Sequence, residues 1–151
     1  MSTTLQRLML RSINLWPPFL GAGIRVRWGR DRKSVDVEMT LHFWNRNYVG
    51  THYGGSLYSM TDPFYMLMLM DNLGPGYIVW DKAASVRFRK PGRGRLRAEF
   101  RLRDEQLADI RATLTSQEKC EPTFSVEVKD ESGDVVAEVQ KVIHIRRKNS
   151  A

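Results

Sequence analysis

Residues 47–70, NYVGTHYGGSLYSMTDPFYMLMLM, decide how the rest of the chain is read. The stretch opens with small and polar residues, passes through Gly54-Gly55, carries one carboxylate at Asp62 and closes in an apolar run. Leu57, Met60, Phe64, Leu67 and Met68 recur at helical spacing, and Tyr65, Met66, Leu69 and Met70 fill most of the remaining circumference. A helix that is apolar on nearly every side is a buried one. The spacing predicts a helix from Gly54 or Gly55 to about Asn72. Asn72-Leu73-Gly74-Pro75-Gly76 then ends it, with glycine past the last turn and proline just after. Residues 42–53 are too polar and irregular for a long element and read as a loop.

Such a helix needs a cover, and the flanking sequence supplies strands. Residues 34–41 alternate Val35, Val37, Met39 and Leu41 against Ser34, Asp36, Glu38 and Thr40, the period of a half-exposed antiparallel strand. Residues 24–29 form its hairpin partner across a turn at 29–33. Residues 77–90 read as a long strand, 91–94 as a turn and 95–103 as the returning strand. In that return Leu96, Ala98, Phe100 and Leu102 alternate with charged residues. Residues 104–118 are helical, with Leu107, Ile110 and Leu114 on one face. Two strands follow, 123–128 and 135–145, and 146–151 form a basic, frayed tail. Residues 1–20 form an N-terminal helical segment with Leu5, Leu8, Met9 and Ile13 on one side.

The order α-β-β-α-β-β-α-β-β, with one central helix that must be covered, predicts an α+β fold. About six antiparallel strands wrap that helix, which is the hotdog architecture.

Length and composition bound the rest. The 151 residues suit one domain with a real core, and 42% hydrophobic with 27% charged content is ordinary for a globular protein. One cysteine, Cys120, excludes an intramolecular disulfide and a cysteine-rich zinc site. His42, His52 and His144 have no metal-ligand spacing, so no metal and no resident cofactor is expected. Arg7, Arg11 and Pro17-Pro18 break up any signal-peptide core, and no apolar run is long enough to span a membrane. A cytoplasmic protein is expected. The net charge of +7 favours anionic partners without choosing among them.

The start of the central helix is the first candidate for chemistry. Its free N–H groups and partial positive charge are bare of side chains at Gly54 and Gly55, so a carbonyl becoming an oxyanion can approach them. The glycine pair equally suits close helix–sheet packing. Asp62 sits among apolar residues, where a carboxylate costs free energy unless it is partnered, solvated or functional as a base or nucleophile. On a continuous helix, eight residues separate Gly54 from Asp62 by about 12 Å. One carbonyl cannot touch both, so joint action requires two antiparallel copies across a two-fold axis.

Asn47-x-x-Gly50-x-x-x-Gly54-Gly55, followed by six residues and Asp62, resembles the helix-start signature of hotdog-fold acyl-CoA thioesterases of the phenylacetic-acid-degradation (PaaI) type. The strand end Val86-Arg87-Phe88-Arg89-Lys90-Pro91-Gly92 is similar to the one that follows the helix in that superfamily. Gly-Thr-His-x-Gly-Gly-Ser-Leu and Asp-Pro-Phe resemble more closely a branch known only as a domain of unknown function. The resemblance implies that the Gly54 N–H, with Gly55 beside it, polarises a thioester carbonyl. It makes Asp62 base or nucleophile and gives Asn47 a part in shaping the loop or placing substrate. Two departures stand out. The family has His-Gly-Gly, whereas here Tyr53 precedes the glycines and His52 lies one residue earlier. Pro63 removes a helix hydrogen bond near Ser59 and favours a kink beside Asp62.

His52, Tyr53, Tyr58 and Met66 are the candidate substrate wall, although ordinary packing also accounts for the methionines and tyrosines, Tyr65 among them. Arg89, Lys90 and Arg93 are candidates for the phosphates of coenzyme A, which enters only as part of the substrate. Alternating arginines over 95–103 read better as a solvated face. Asp81-Lys82, inside a strand, fits either an ion pair at a subunit contact or a local edge.

The expected function is an acyl-CoA thioesterase working as a dimer or tetramer. The alternative is a non-catalytic module binding acyl-CoA or a fatty acid. Nucleic acid is not expected as a partner, because Phe88 and Phe100 lie in phase with the apolar side and offer no stacking platform. No membrane partner is expected. A hydratase is disfavoured because no well-placed histidine–carboxylate pair is evident.

Overall fold

The computed structural model describes residues 12–148. The expected helix face at Leu5, Leu8 and Met9, and the tail end at 149–151, lie outside the described residues. A single helical turn at Ile13–Leu15 leads into α1 (Pro17–Ala22), and Gly23, at φ +73°, ends it. Strands β1 (Ile24–Trp28) and β2 (Ser34–Thr40) form the expected hairpin.

The central segment departs from one continuous helix. It divides into α2 (Gly54–Ser59) and α3 (Phe64–Leu73), with Met60, Thr61, Asp62 and Pro63 between them. The cause is local. Pro63 has no N–H to give, and the preceding amides turn to tighter acceptors, Thr61 N–H to Tyr58 O at 2.8 Å and Asp62 N–H to Ser59 O at 3.3 Å. The buried Thr61 hydroxyl bonds the same Tyr58 carbonyl at 2.8 Å. Asp62 therefore lies in a break between helices.

Strand β3 (Tyr77–Phe88) follows, then β4 (Arg95–Arg101), α4 (Asp104–Ser116), a two-residue β5 (Lys119–Cys120), β6 (Thr123–Lys129) and β7 (Val135–Arg147). Gln106 Oε1 accepts the Arg103 N–H at 2.9 Å, which caps the start of α4. Among the described residues the sheet has seven strands in the order β1-β2-β4-β6-β7-β3, all antiparallel, with β5 beside β7. The expected strands hold to within two residues at their ends, and β5 is additional because two residues carry no readable period.

Alternation places Val35, Val37 and Met39, then Leu96, Ala98 and Phe100, then Phe124, Val126 and Val128, in one buried core with α2 and α3. Phe64 shows how the sheet curls around the helix. Its ring lies 4.9 Å from Phe100 in β4, 6.3 Å from Trp28 in β1 and 6.2 Å from Phe19 in α1. Tyr65 stacks on Phe124 at 4.5 Å and donates its hydroxyl to Ser125 O, so it is a core residue. Met66, Leu67 and Met70 are only half-buried, so this chain alone does not cover the whole helix circumference. The architecture is the hotdog fold.

Candidate active site

The loop before α2 is organised by Asn47. Its Oδ1 accepts the N–H groups of Val49 (3.1 Å) and Thr51 (3.0 Å), while its Nδ2 donates to Thr51 Oγ1 (2.9 Å) and His52 O (3.2 Å). Those bonds fold residues 47–52 into a closed turn. His52 is buried behind it. Its N–H donates to Gly92 O at 3.0 Å, and Nε2 lies 2.9 Å from Gly94 O. A carbonyl only accepts, so Nε2 carries the proton and buried Nδ1 is left without a partner. Burial, against the support of the Gly94 carbonyl, holds the imidazole below its ordinary pKa. His52 thus ties the loop to the turn after β3.

At the start of α2, Tyr53 O accepts from Ser56 N–H (3.0 Å) and Leu57 N–H (3.1 Å), and no side chain caps the helix. The Gly54 and Gly55 N–H groups have no intrahelical acceptor. Two exposed rings lie over this turn. A Cβ on Gly54 would approach Phe88 Cζ to 3.2 Å, and one on Gly55 would fall 2.4 Å from Tyr53 Cε1.

Asp62, past the far end of α2, is held by Tyr58, four residues before it, and by Lys141, which sequence spacing could not bring to it. Its Oδ1 accepts the Tyr58 hydroxyl at 2.6 Å and the Lys141 ammonium at 2.7 Å. Lys141, on β7, is fully buried, whereas the Asp62 side chain is 46% exposed. Lys141 Nζ also donates to Tyr58 Oη at 3.1 Å and lies 3.1 Å from Asp81 Oδ1, an ion pair out of line for a hydrogen bond. Burial works against the Lys141 charge, but Asp62, Tyr58 and Asp81 outweigh it and leave the ammonium above its ordinary pKa. Burial raises Asp81, against the pull of Lys141, and burial together with Asp62 raises the Tyr58 phenol.

Asp81 reaches this cluster because it pairs with Ile143, two residues along β7 from Lys141, at the last regular position of β3 before a bulge. Asp81 pairs with Ile143 and Ala83 with Val142, so Lys82 is the extra residue. The bulge changes phase: Tyr77, Val79 and Asp81 share a face with Ala84, Val86 and Phe88. Lys82, pushed out, pairs with Glu121 at 2.6 Å. Both members of Asp81-Lys82 thus find partners within the chain. A shallow groove of about 440 Å³ runs along this edge, lined by Tyr58, Asp81, Lys82, Ala83, Ala84 and Val86. A larger hollow of about 710 Å³ lies at the opposite sheet edge, near Asn14, Leu20, Ile24, His42 and Trp44, and shares no residue with it.

Two of the three expected phosphate ligands are paired with carboxylates of the chain. Arg89 makes a bidentate pair with Glu138 (2.9 and 2.8 Å), and Lys90 lies 2.6 Å from both Asp130 and Asp134. Arg93 reaches only the Gly50 carbonyl, at 3.5 Å. Met66 is half-buried against the core. The structure also supplies a histidine–carboxylate pair where none was expected: His144 Nδ1 lies 2.8 Å from Glu121 Oε1, with Trp80 stacked on the imidazole at 4.1 Å. The pair joins β7 to the residue after β5, a contact that sequence order hides. Among the described residues no cluster suits a metal ion, and no helix is long and apolar enough to cross a membrane.

A match to one family model over residues 5–145 takes in the helix-start loop, the broken central helix and all of the curled sheet except the last two residues of β7. The chain belongs to the DUF4442 family, described as a domain of unknown function. No curated protein matches. Among solved structures, this DUF4442 chain is similar to a Pseudomonas aeruginosa protein of unknown function described as a probable thioesterase. That match has 23% identity, covers 98% of this chain and 97% of the other, and has a TM-score of 0.77. It is similar also to the PaaI protein of the Escherichia coli phenylacetic acid degradation operon (17% identity, 99% and 97% covered, TM-score 0.64). A Haemophilus influenzae thioesterase matches at 12% identity, with 97% and 93% covered and a TM-score of 0.64. At these identities the likenesses establish the fold alone.

Proposed function

We propose that this protein hydrolyses an acyl-CoA thioester at a site shared by two copies of the chain. The observation that carries the reading is Asp62, a half-exposed carboxylate fixed at a break in an otherwise apolar helix. Both hydrogen bonds to it fall on Oδ1, which leaves Oδ2 as the working oxygen. Asp62 Oδ2 takes a proton from water, and the hydroxide adds to the thioester carbon. The oxyanion is received by the bare Gly54 and Gly55 N–H groups. Collapse breaks the C–S bond and expels the CoA thiolate, which recovers the proton.

Two features of the chain support sharing between copies. The six residues of α2 rise about 9 Å, and Asp62 lies beyond the end opposite Gly54. The 12-residue strand β3 is a sheet edge carrying exposed Trp80 and Phe88, and such an edge invites pairing with a second copy. Thiol release from short, medium and aromatic acyl-CoAs tests the reading; no turnover above the buffer blank on any of them overturns it.

One observation favours the second reading, a module that binds acyl-CoA without cleaving it: the Asp62 charge is already balanced by buried Lys141. Thermal stabilisation by acyl-CoA without thiol release would support that alternative.

A further inference from the structure

We propose that Lys141 is a positioning residue for Asp62, locking the carboxylate so that one oxygen faces the thioester; this rests on the hydrolytic reading above. Lys141 stands on the inward face of β7, in phase with Val139 and Ile143, a place that otherwise takes apolar side chains. An unpaired ammonium there would be strongly unfavourable. It persists because Asp62 Oδ1 (2.7 Å), Tyr58 Oη (3.1 Å) and Asp81 Oδ1 (3.1 Å) surround it.

The geometry is a closed triangle. Lys141 donates to Tyr58 Oη and to Asp62 Oδ1, and Tyr58 donates to the same Oδ1. Two donors on one oxygen fix the carboxylate rotamer. They do so in the segment where Pro63 has interrupted the helix ladder and the backbone holds Asp62 less firmly. Asp81 completes the arrangement from the β3 bulge, so the pivot of the cluster is anchored to two strands. A lysine retained only for stability would not need to converge on the same oxygen as the tyrosine, and buried ion pairs are weak contributors to stability.

The test compares Lys141→Met, Asp62→Asn and the double variant Asp62→Asn/Lys141→Met by steady-state thiol release. Lys141→Met lowers kcat about a hundredfold, the lower end of what a positioned general base contributes, with KM within about threefold. On the Asp62→Asn background the same change has no further effect beyond about threefold, since residues acting as a unit are non-additive. Lys141→Met leaves two carboxylates uncompensated. Asp81→Asn/Lys141→Met therefore serves as a second variant that keeps the cluster's net charge, compared with Asp81→Asn alone and checked for folding by circular dichroism. A kcat within about twofold of its parent in that folded variant overturns the proposal, as does an equal Lys141→Met loss with and without Asp62. Both of those results require an active wild type. A wild type inactive on every acyl-CoA overturns the hydrolytic reading, and the positioning role falls with it.

Discussion

Lys141 Nζ and Asp62 Oδ1 meet at 2.7 Å although 79 residues separate them in the chain. The contact joins the last strand of the sheet to the break in the central helix. It fixes the acidic residue on which the functional reading depends.

Tyr58 is the third member of that contact. Tyr58→Phe keeps the ring but removes the donor to Asp62 and an acceptor of Lys141. A hydrogen bond to a charged group is worth about 1.5–3 kcal/mol. Thermal unfolding of Tyr58→Phe is expected at lower temperature, and kcat is expected to fall about tenfold for each 1.4 kcal/mol that the transition state loses.

Gly92 is a packing requirement. It is buried, and a Cβ there would lie 2.9 Å from Leu96 Cδ1, 3.2 Å from Val136 Cγ1 and 3.4 Å from His52 Cδ2. Gly92→Ala is expected to destabilise by about 1–3 kcal/mol, the range for overpacking, as read by urea unfolding. An unchanged urea midpoint would contradict this packing.

His52 makes stability depend on pH. Burial lowers its folded-state pKa from the ordinary 6.5, so below that value the unfolded chain binds the proton that the folded chain refuses. Its contribution is therefore a loss of stability as pH falls through about 6.5 toward the folded value. Melting of the wild type is expected to drop between pH 7.5 and pH 5.5 more steeply than that of His52→Gln, which has no proton to gain. Parallel curves would contradict the claim.

Phe88 tests the shared site. It ends the free edge strand, lies over Gly54 and is 55% exposed. A carboxylate there would be desolvated by a neighbouring copy. Phe88→Glu is expected to shift sedimentation from dimer toward monomer and to lower turnover with it. A wild type that sediments as a monomer would contradict the two-copy site.

Much of the fold was legible because its signals are local. The alternation in β2 and β4 gave both strands, and Gly74, at φ +88°, ended the helix where Gly74-Pro75 predicted. Pro63 signalled a kink beside Asp62, but the unbroken apolar run concealed that the helix stops there. The bulge at Asp81–Ala83 was written as an apolar phase change, Tyr77 and Val79 against Val86 and Phe88, that only pairing with β7 makes plain. Lys141 carried a readable signal, a charge on the apolar phase of β7. Its partners, like Glu138 beside Arg89 and Asp130 beside Lys90, are brought together by the sheet and not by the chain.

The most direct test of the account is thiol release from a panel of acyl-CoAs by the wild type and by Asp62→Asn, which preserves shape and removes the charge. The wild type is expected to turn over at least one acyl-CoA, and Asp62→Asn to lose about a hundredfold or more in kcat, as for removal of a general base. Equal turnover by the two proteins would contradict it.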